Sequence, residues 1–213
     1  MIDATDFTIP GTGVLRNKLG ITDSAALTRA ATDSTALRLA ELQATPVRGG
    51  FDSTHLQAIH HYIFQDIYDW AGELRPIDAG NVPASQVEKS LDSVLDRLSR
   101  ENHLKGLSAE EWAHSASAYI YDLGAIQPFL VGNEIALQEF AVELARKNNL
   151  SLQWDATPDI ASDSIALLSQ AEQSANLRRL IMLAMDTDPI VQPSGHRIER
   201  GMDSVLTIGN LLL

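Results

Sequence analysis

The sequence predicts an all-α protein, a bundle of about seven helices with one short β flap. Apolar residues recur at intervals of three or four positions along most of the chain, which is the period of an amphipathic helix. Capping patterns that start helices precede two of these segments. One internal stretch alternates apolar and polar residues, as a strand does. Together these observations favour a helical bundle.

The first three predicted helices lie in the N-terminal half of the chain. Residues 24–43 are rich in Ala and Leu and contain no Gly or Pro, which suits a helix interior. Residues 53–68 place apolar side chains three or four positions apart, and residues 86–100 repeat this pattern. Ser85 and Glu88 are spaced as a capping box at the start of the third helix.

Four more helices are predicted in the C-terminal half. Ser108 and Glu111 are spaced as a second capping box, before a segment with a continuous apolar face. A Thr-Pro pair at 157–158 is typical of an N-cap followed by the first helical residue. The four segments are the one after Ser108, about 134–147, about 158–170 and about 173–185.

Two stretches interrupt the helical pattern. Residues 73–83 alternate apolar and polar side chains around a Gly-Asn turn signal, which predicts a short hairpin or extended flap. Residues 187–213 contain two prolines and three glycines among scattered apolar residues, which predicts a tail or linker. We therefore assign residues 1–186 to one domain and residues 187–213 to this tail.

Composition excludes several classes of function. The 213 residues include no Cys, so a disulfide framework and a cysteine-ligated metal site are excluded. The 16 Lys and Arg residues against 28 Asp and Glu residues give a net charge of −12, which argues against a nucleic-acid-binding surface. No apolar run approaches the ~18 residues of a membrane span.

The N-terminus is acidic and lacks the apolar region of a cleavable signal peptide. We therefore expect the protein in the cytoplasm of the cell that makes it. Secretion into a host cell by a route that needs no cleavable signal is the alternative.

The segment with the most chemical information lies between the predicted fourth and fifth helices. Gly132 permits a sharp turn, and Asn133 suits the N-cap of the following helix. Glu134 in the first turn interacts favourably with the helix dipole. A glycine-containing loop before a helix N-terminus can bind an anion through free backbone N–H groups, although most such loops only cap the helix.

The same segment resembles the signature loop of the Fic family, written H-x-F-x-[D/E]-G-N-G-R-x-x-R. The stretch GTGVLRNKLGI at 11–21 is similar to the N-terminal segment of that family. The stretch LQAIHHYIFQDIYDWAGELRPID at 56–78 is similar to the helix that leads into its β-hairpin flap. Because the resemblance covers roughly residues 10–185 in order, we expect the Fic fold.

The resemblance also implies an activity. Fic enzymes typically transfer AMP from ATP to a target hydroxyl, with a His as general base and an acidic residue that holds Mg²⁺. Their Gly-Asn-Gly turn and two Arg side chains bind the phosphates. Their flap binds the target peptide by strand addition, which corresponds here to Arg75, Pro76, Ile77 and Asp78.

The loop departs from that pattern at five of its eight fixed positions, while Phe129, Gly132 and Asn133 match. The five differences are Gln127 at the His, Val131 at the acid, Glu134 at the second Gly, Ile135 at the first Arg and Gln138 at the last Arg. Gln has no nitrogen that titrates near pH 7, and Val cannot bind a hard cation. Any nucleotide contact is therefore expected to be weak and to involve Gly132 and Asn133.

The first hypothesis is a pseudoenzyme that binds a protein target at its flap, as an effector or toxin-like module without a cofactor. An antitoxin-like protein is a further partner that the resemblance leaves open. The alternative is an enzyme of altered chemistry that uses ATP and Mg²⁺ or another phosphate-containing donor. In that enzyme Gln127 positions the nucleophile and Glu134 acts as a base or cation ligand. A nucleotide sensor is the third hypothesis, and the missing Arg side chains argue against it.

Other polar and aromatic residues have structural interpretations. His60 and His61 are adjacent, so they face different sides of a helix and make a poor metal pair. Trp70 and Trp112 are expected to be core or flap-anchoring aromatics. The pattern S/T-x-x-x-E-G/N, which forms an inhibitory helix in some Fic proteins, does not occur in this sequence.

Overall fold

The computed structural model describes residues 4–79, 81–153, 177–179, 181–182 and 185. Within these residues the protein is helical and its β structure is limited to isolated bridges, which confirms the predicted all-α class. They include five α-helices: α1 (Ser24–Ala44), α2 (Ser53–Phe64), α3 (Val87–Arg100), α4 (Ala109–Ile126) and α5 (Asn133–Lys147). Short 3₁₀ turns lie at Ala4–Phe7, Ala84–Gln86 and Asn102–Leu104.

Helix α5 lies inside the bundle and contacts both α2 and α4. Its side chains Phe140, Ala141 and Leu144 are fully buried, as are Leu56 of α2 and Trp112 of α4. Eight of its 15 residues are buried, more than one amphipathic face would require. The N-terminal end of α5, where the candidate loop joins it, is therefore fixed by the core.

Local side-chain caps start three of the helices. Asp23 accepts Ala26 N–H at the start of α1, and Asp52 accepts His55 N–H at the start of α2, each at 2.8 Å. The capping box predicted at Ser108 is present, with both its hydrogen bonds to Glu111 formed. These bonds satisfy backbone donors that would otherwise lack an intrahelical acceptor.

The capping box predicted at Ser85 and Glu88 is wrong. Ser85 lies within the 3₁₀ turn, where Gln86 N–H donates to Pro83 O at 2.9 Å. Gln86 occupies the N-cap position of α3 and makes no side-chain capping bond. A capping side chain reaches the first backbone N–H groups of a helix when its own residue, just before the helix, is extended. Here the 3₁₀ turn after Pro83 occupies that position, so no extended residue directly precedes α3.

Helix α2 is shorter than predicted and ends at Phe64, not at residue 68. The N–H groups of Ile67 and Tyr68 both donate to Phe64 O at 3.0 Å, which closes a turn. Lys18 N–H donates to Ile67 O at 2.8 Å, so the N-terminal segment binds the chain where a longer helix would continue. Ile67 is buried within this turn. Its apolar side chain extends the helical spacing of apolar residues past Phe64, which is why the sequence predicts a longer helix.

An antiparallel bridge joins Ala79 to Val82 in the predicted flap, which supports a small hairpin there. The predicted helix 158–170 and the predicted tail 187–213 lie outside the described residues. Of the predicted helix 173–185, residues 177–179 and 181–182 are helical. No helix in the described part of the chain is long and apolar enough to cross a membrane.

Candidate functional site

The candidate site is the loop 127–132 between α4 and α5. Gln127 follows the last residue of α4 in the left-handed conformation, at φ 48° and ψ 67°, which is uncommon for a residue other than glycine. Its backbone N–H donates to Gly124 O at 3.2 Å, and the residue is exposed. The position that the resemblance assigns to the general base therefore carries an amide, which does not titrate near pH 7.

His60 of α2 packs against the loop and bonds to its backbone. Its ring stacks on Phe129, with 3.9 Å between the ring centroids and 20° between the planes. Gly72 N–H donates to Nδ1 at 2.8 Å, so Nε2 carries the proton and donates to Val131 O at 3.0 Å. Burial lowers the pKa of His60 to about 4. His60 is thus a neutral structural residue at pH 7, in agreement with the interpretation from sequence.

Asn133 closes the loop with its side chain. Its Oδ1 accepts Phe129 N–H at 2.8 Å, and its Nδ2 donates to Phe129 O at 2.9 Å. The predicted N-cap role of Asn133 is wrong, because α5 begins at Asn133 and Gly132 occupies the N-cap position without a side-chain bond. Asn133 therefore fixes the shape of the loop, and the first turn of α5 has no side-chain cap.

Gly132 is required by conformation and by space. Its φ of +73° is left-handed, and glycine adopts this value without a steric penalty. A Cβ at this position would lie 2.3 Å from an atom of the Phe64 ring, closer than two carbon atoms can approach. The backbone of the loop is therefore packed directly on the last residue of α2.

Two polar side chains, Glu134 and Gln138, contact each other at the start of α5. Gln138 donates from Nε2 to Glu134 Oε1 at 3.3 Å, across one helical turn. Glu134 is exposed by surface area, yet desolvation by nearby protein atoms raises its pKa above the ordinary value. A carboxylate with an amide partner thus lies at the helix end whose dipole favours an anion.

The rest of this helix end is apolar. Val131 and Ile135 are partly buried and pack against the hydrophobic core. Residues 127–145, which comprise the loop and most of α5, contain no Lys or Arg. The loop and the first turn of α5 therefore offer backbone groups, the amides of Gln127 and Asn133 and the carboxylate of Glu134, but no cationic side chain for a phosphate.

Arg75 connects the flap to the loop. Its Nε donates to Gln127 O at 2.6 Å, and Nη2 donates to Ile126 O at 3.1 Å. On the flap side, Nη1 donates to Ile77 O at 2.7 Å and Nη2 to Val82 O at 2.5 Å. The residue is 2% exposed. Burial lowers the pKa of the guanidinium, and nearby Asp78 opposes that shift, but an Arg side chain stays charged in proteins.

The other predicted target-binding residues of the flap lie at the surface. Pro76 and Asp78 are exposed and Ile77 is partly buried. Asp78 Oδ1 accepts Ala84 N–H at 2.7 Å, which fixes the return of the flap to α3. The structure thus separates the four predicted residues into three at the surface and a buried Arg75 bonded to main-chain carbonyls. Sequence reasoning missed this role because Arg75 and its loop acceptors are more than 50 positions apart.

Sequence reasoning also missed a buried pair toward the C-terminal end of α5. Glu143 accepts Val47 N–H at Oε1 (3.1 Å), and its Oε2 lies 3.0 Å from His55 Nε2. Phe51 N–H donates to His55 Nδ1 at 3.2 Å, so Nε2 carries the proton and has two acceptors within reach, the Glu143 carboxylate and Val47 O, which also lies at 3.0 Å. Both side chains are at least 95% buried. The pair holds the segment between α1 and α2 against α5.

Glu139, one turn before Glu143, is also buried and belongs to the same region. Its Oε1 has no hydrogen-bond partner among the described residues. Burial, together with the charge of Glu143, raises its pKa to about 7, and Arg146 opposes the shift. The i, i+4 spacing of two Glu residues inside an apolar helix was the available signal. The described residues contain no cluster of three or more His, Asp or Glu side chains that could hold a metal ion.

Comparison with known proteins gives consistent results. The model of the Fic/DOC family matches residues 50–142. Protein adenylyltransferase VbhT of Bartonella schoenbuchensis is 38% identical over 154 residues, which cover 70% of this chain and 32% of that protein. This chain thus spans about a third of the length of VbhT.

Two further similarities extend over most of both chains. The probable protein adenylyltransferase Fic of Escherichia coli is 31% identical over 191 residues, 87% of this chain and 92% of that protein. The N-terminal FIC domain of Bep8 from Bartonella sp. 1-1C has a TM-score of 0.78 at 22% identity, with 86% of this chain and 96% of that domain covered. The sequence match and the fold match therefore agree.

Proposed function

Because the chain belongs to the Fic/DOC family, we propose that it is a Fic pseudoenzyme, which binds a protein partner and does not transfer AMP. The relatives are named protein adenylyltransferases, so the proposal concerns what this loop has lost. The observation that supports it best is the Glu134–Gln138 pair at the N-terminus of α5. In the family pattern, a Gly and an Arg that bind phosphate stand at these two positions.

The proton chemistry of AMP transfer has no equivalent in this loop. A general base must be able to take the proton of the target hydroxyl and typically contributes 10²–10⁴-fold to the rate. Gln127 cannot take that proton near pH 7. His60, the nearest His in the loop's hydrogen-bond network, is buried and has both nitrogens engaged. The lost base is therefore not replaced by His60.

The charge at the site also disfavours a nucleotide. Two unit negative charges 4 Å apart repel by about 4 kcal/mol at an effective dielectric constant of 20. Glu134 places one such charge at the end of α5 that would face a phosphate, and Val131 offers no ligand for Mg²⁺. We therefore expect no role for ATP or Mg²⁺ in this protein.

The test is calorimetric titration of the native chain with ATP and Mg²⁺. Its matched control is a variant with the family residues restored, Gln127→His, Val131→Glu, Glu134→Gly, Ile135→Arg and Gln138→Arg. We expect no binding below millimolar concentration for the native chain and tighter binding for the restored variant. Submillimolar binding of Mg²⁺-ATP by the native chain would contradict the proposal.

The raised pKa of Glu134 favours a second candidate function, a Fic enzyme of altered chemistry. In such a reaction a target hydroxyl oxygen attacks the phosphorus of a nucleotide or other phosphate-containing donor. Its proton passes to Glu134, and the remainder of the donor leaves. A thermal-shift panel of nucleotides and phosphorylated metabolites, on the native chain and on Glu134→Gln, tests this function. A panel in which no donor raises Tm excludes it.

A further inference from the structure

We propose that the loop between α4 and α5 holds the flap in position, and that Arg75 is the positioning residue that joins the two. The inference rests on the proposed function, since it explains how a protein that has lost the chemistry keeps its partner-binding surface in place. It assigns the loop a mechanical role that does not depend on the five substituted side chains.

The geometry joins two parts of the chain through one guanidinium. Its hydrogen bonds to Ile126 O and Gln127 O are made at the end of α4 and the start of the loop. Its bonds to Ile77 O and Val82 O are made on the two sides of the flap turn. The planar fork of Arg can serve acceptors in several directions at once, which Lys cannot do. The flap is therefore attached at both of its sides.

The electrostatics favour this arrangement. The last carbonyl groups of a helix have no intrahelical donor and form the negative end of its dipole. Arg75 places a buried positive charge against such carbonyls at the end of α4, and no carboxylate forms an ion pair with it among the described residues. The Arg75 N–H also donates to Pro128 O at 2.9 Å, which is a second link to the loop.

Each of these acceptors is a main-chain carbonyl, so the attachment does not use the side chains of the loop. What it requires is that the loop backbone stays in place. Gly132 on Phe64, Asn133 on Phe129 and His60 on Val131 O hold that backbone. These contacts give a physical reason for a loop that keeps its shape while its catalytic positions differ.

The test is hydrogen–deuterium exchange of the amides of residues 73–83 in the full chain, for the native protein, Arg75→Gln and Arg75→Lys. Arg100→Gln is the matched control, because Arg100 is exposed and forms no ion pair among the described residues. We expect flap exchange to become roughly 10- to 100-fold faster in Arg75→Gln, as expected when charge-assisted hydrogen bonds are lost. We expect a smaller increase in Arg75→Lys and none in the control.

The same samples report exchange in α2 and α4, which separates a local release of the flap from a general loss of stability. Unchanged flap exchange in Arg75→Gln, or an equal increase in the flap and in both helices, would overturn the inference. The restored-loop variant should keep native flap exchange, because Arg75 bonds to main-chain atoms that the substitutions leave unchanged. Failure of the proposed function would appear instead as ATP binding, which this experiment does not measure.

Discussion

Polar side chains are exposed at the N-terminal end of α5 and buried toward its C-terminal end. At its N-terminal end, Gln127 and Glu134 are exposed, and the side chains of Asn133 and His60 hold the loop by hydrogen bonds to its backbone. Toward its C-terminal end, Glu139 and Glu143 are buried, and Glu143 is bonded to His55. Among the described residues, the buried carboxyl groups therefore lie away from the loop that resembles an active site. A search for function guided only by the largest rise in carboxyl pKa would therefore select Glu139 and not the loop.

The largest effect is expected when the buried pair is broken. Glu143→Ala leaves the N–H of Val47 without an acceptor, leaves the Nε2–H of His55 with Val47 O alone, and opens a cavity in the core. Together these changes should lower the free energy of unfolding by about 4 kcal/mol. Urea unfolding at pH 7 measures it. The control is Glu73→Ala, since Glu73 is exposed, and its change should stay near zero. Equal losses for the two variants would show that the Glu143 carboxylate does not make the buried contacts described.

Glu139→Gln should make the protein more stable at high pH. The pKa of Glu139 in the folded state, about 7, lies above the ordinary value of 4.5, so folding favours its protonated form. That stabilisation is complete below pH 4.5 and is lost as pH rises through 7. Above pH 7 the variant should gain up to about 3 kcal/mol over the native chain.

Urea unfolding of Glu139→Gln from pH 5 to pH 8 measures this dependence, and Glu73→Gln is the control. The difference in stability between the native chain and the variant should grow between pH 5 and pH 7. A constant difference over this range would show that Glu139 does not titrate there.

The loop backbone is tested by a pair of glycines that differ only in their surroundings. Gly132 and Gly106 both have positive φ, of 73° and 88°, but a Cβ meets the Phe64 ring only at Gly132. Gly132→Ala should therefore cost about 2 kcal/mol more than Gly106→Ala. Chemical denaturation measures both. Similar losses would mean that the loop is not packed against α2 as described.

The smallest effect is expected at the exposed side chain of the loop. Gln127→Ala should change the free energy of unfolding by no more than about 0.5 kcal/mol, because the Gln127 contacts in the Arg75 network are made by its main chain. The measurement is again urea unfolding. A loss comparable to that of Gly132→Ala would assign Gln127 a structural role.

Much of the fold could be predicted because its determinants are local. The helical period predicted the five described helices, with ends wrong by a few residues at most. The Ser108–Glu111 box was predicted correctly because both partners lie within one turn. The Ser85–Glu88 box has the same spacing, but the turn after Pro83 decides the geometry there.

The site was harder to predict because its contacts join distant parts of the sequence. The resemblance to a family pattern identified the loop as the candidate site, but it could not show that Arg75 is buried against Ile126 O and Gln127 O. Nor could it show that Glu139 and Glu143 face the interior, since charged residues on a helix usually face solvent. In each case the tertiary contact, not the local pattern, decides what the residue does.

The central claim is that the loop no longer supports AMP transfer, and label transfer from ATP carrying ³²P at the α-phosphate tests it most directly. The native chain and the restored-loop variant would be incubated with Mg²⁺ and a protein lysate, and labelled protein bands counted, including the chain itself. We predict no label above background for the native chain. Label that depends on the native chain would contradict this claim, and its loss in Glu134→Gln would favour the enzyme of altered chemistry.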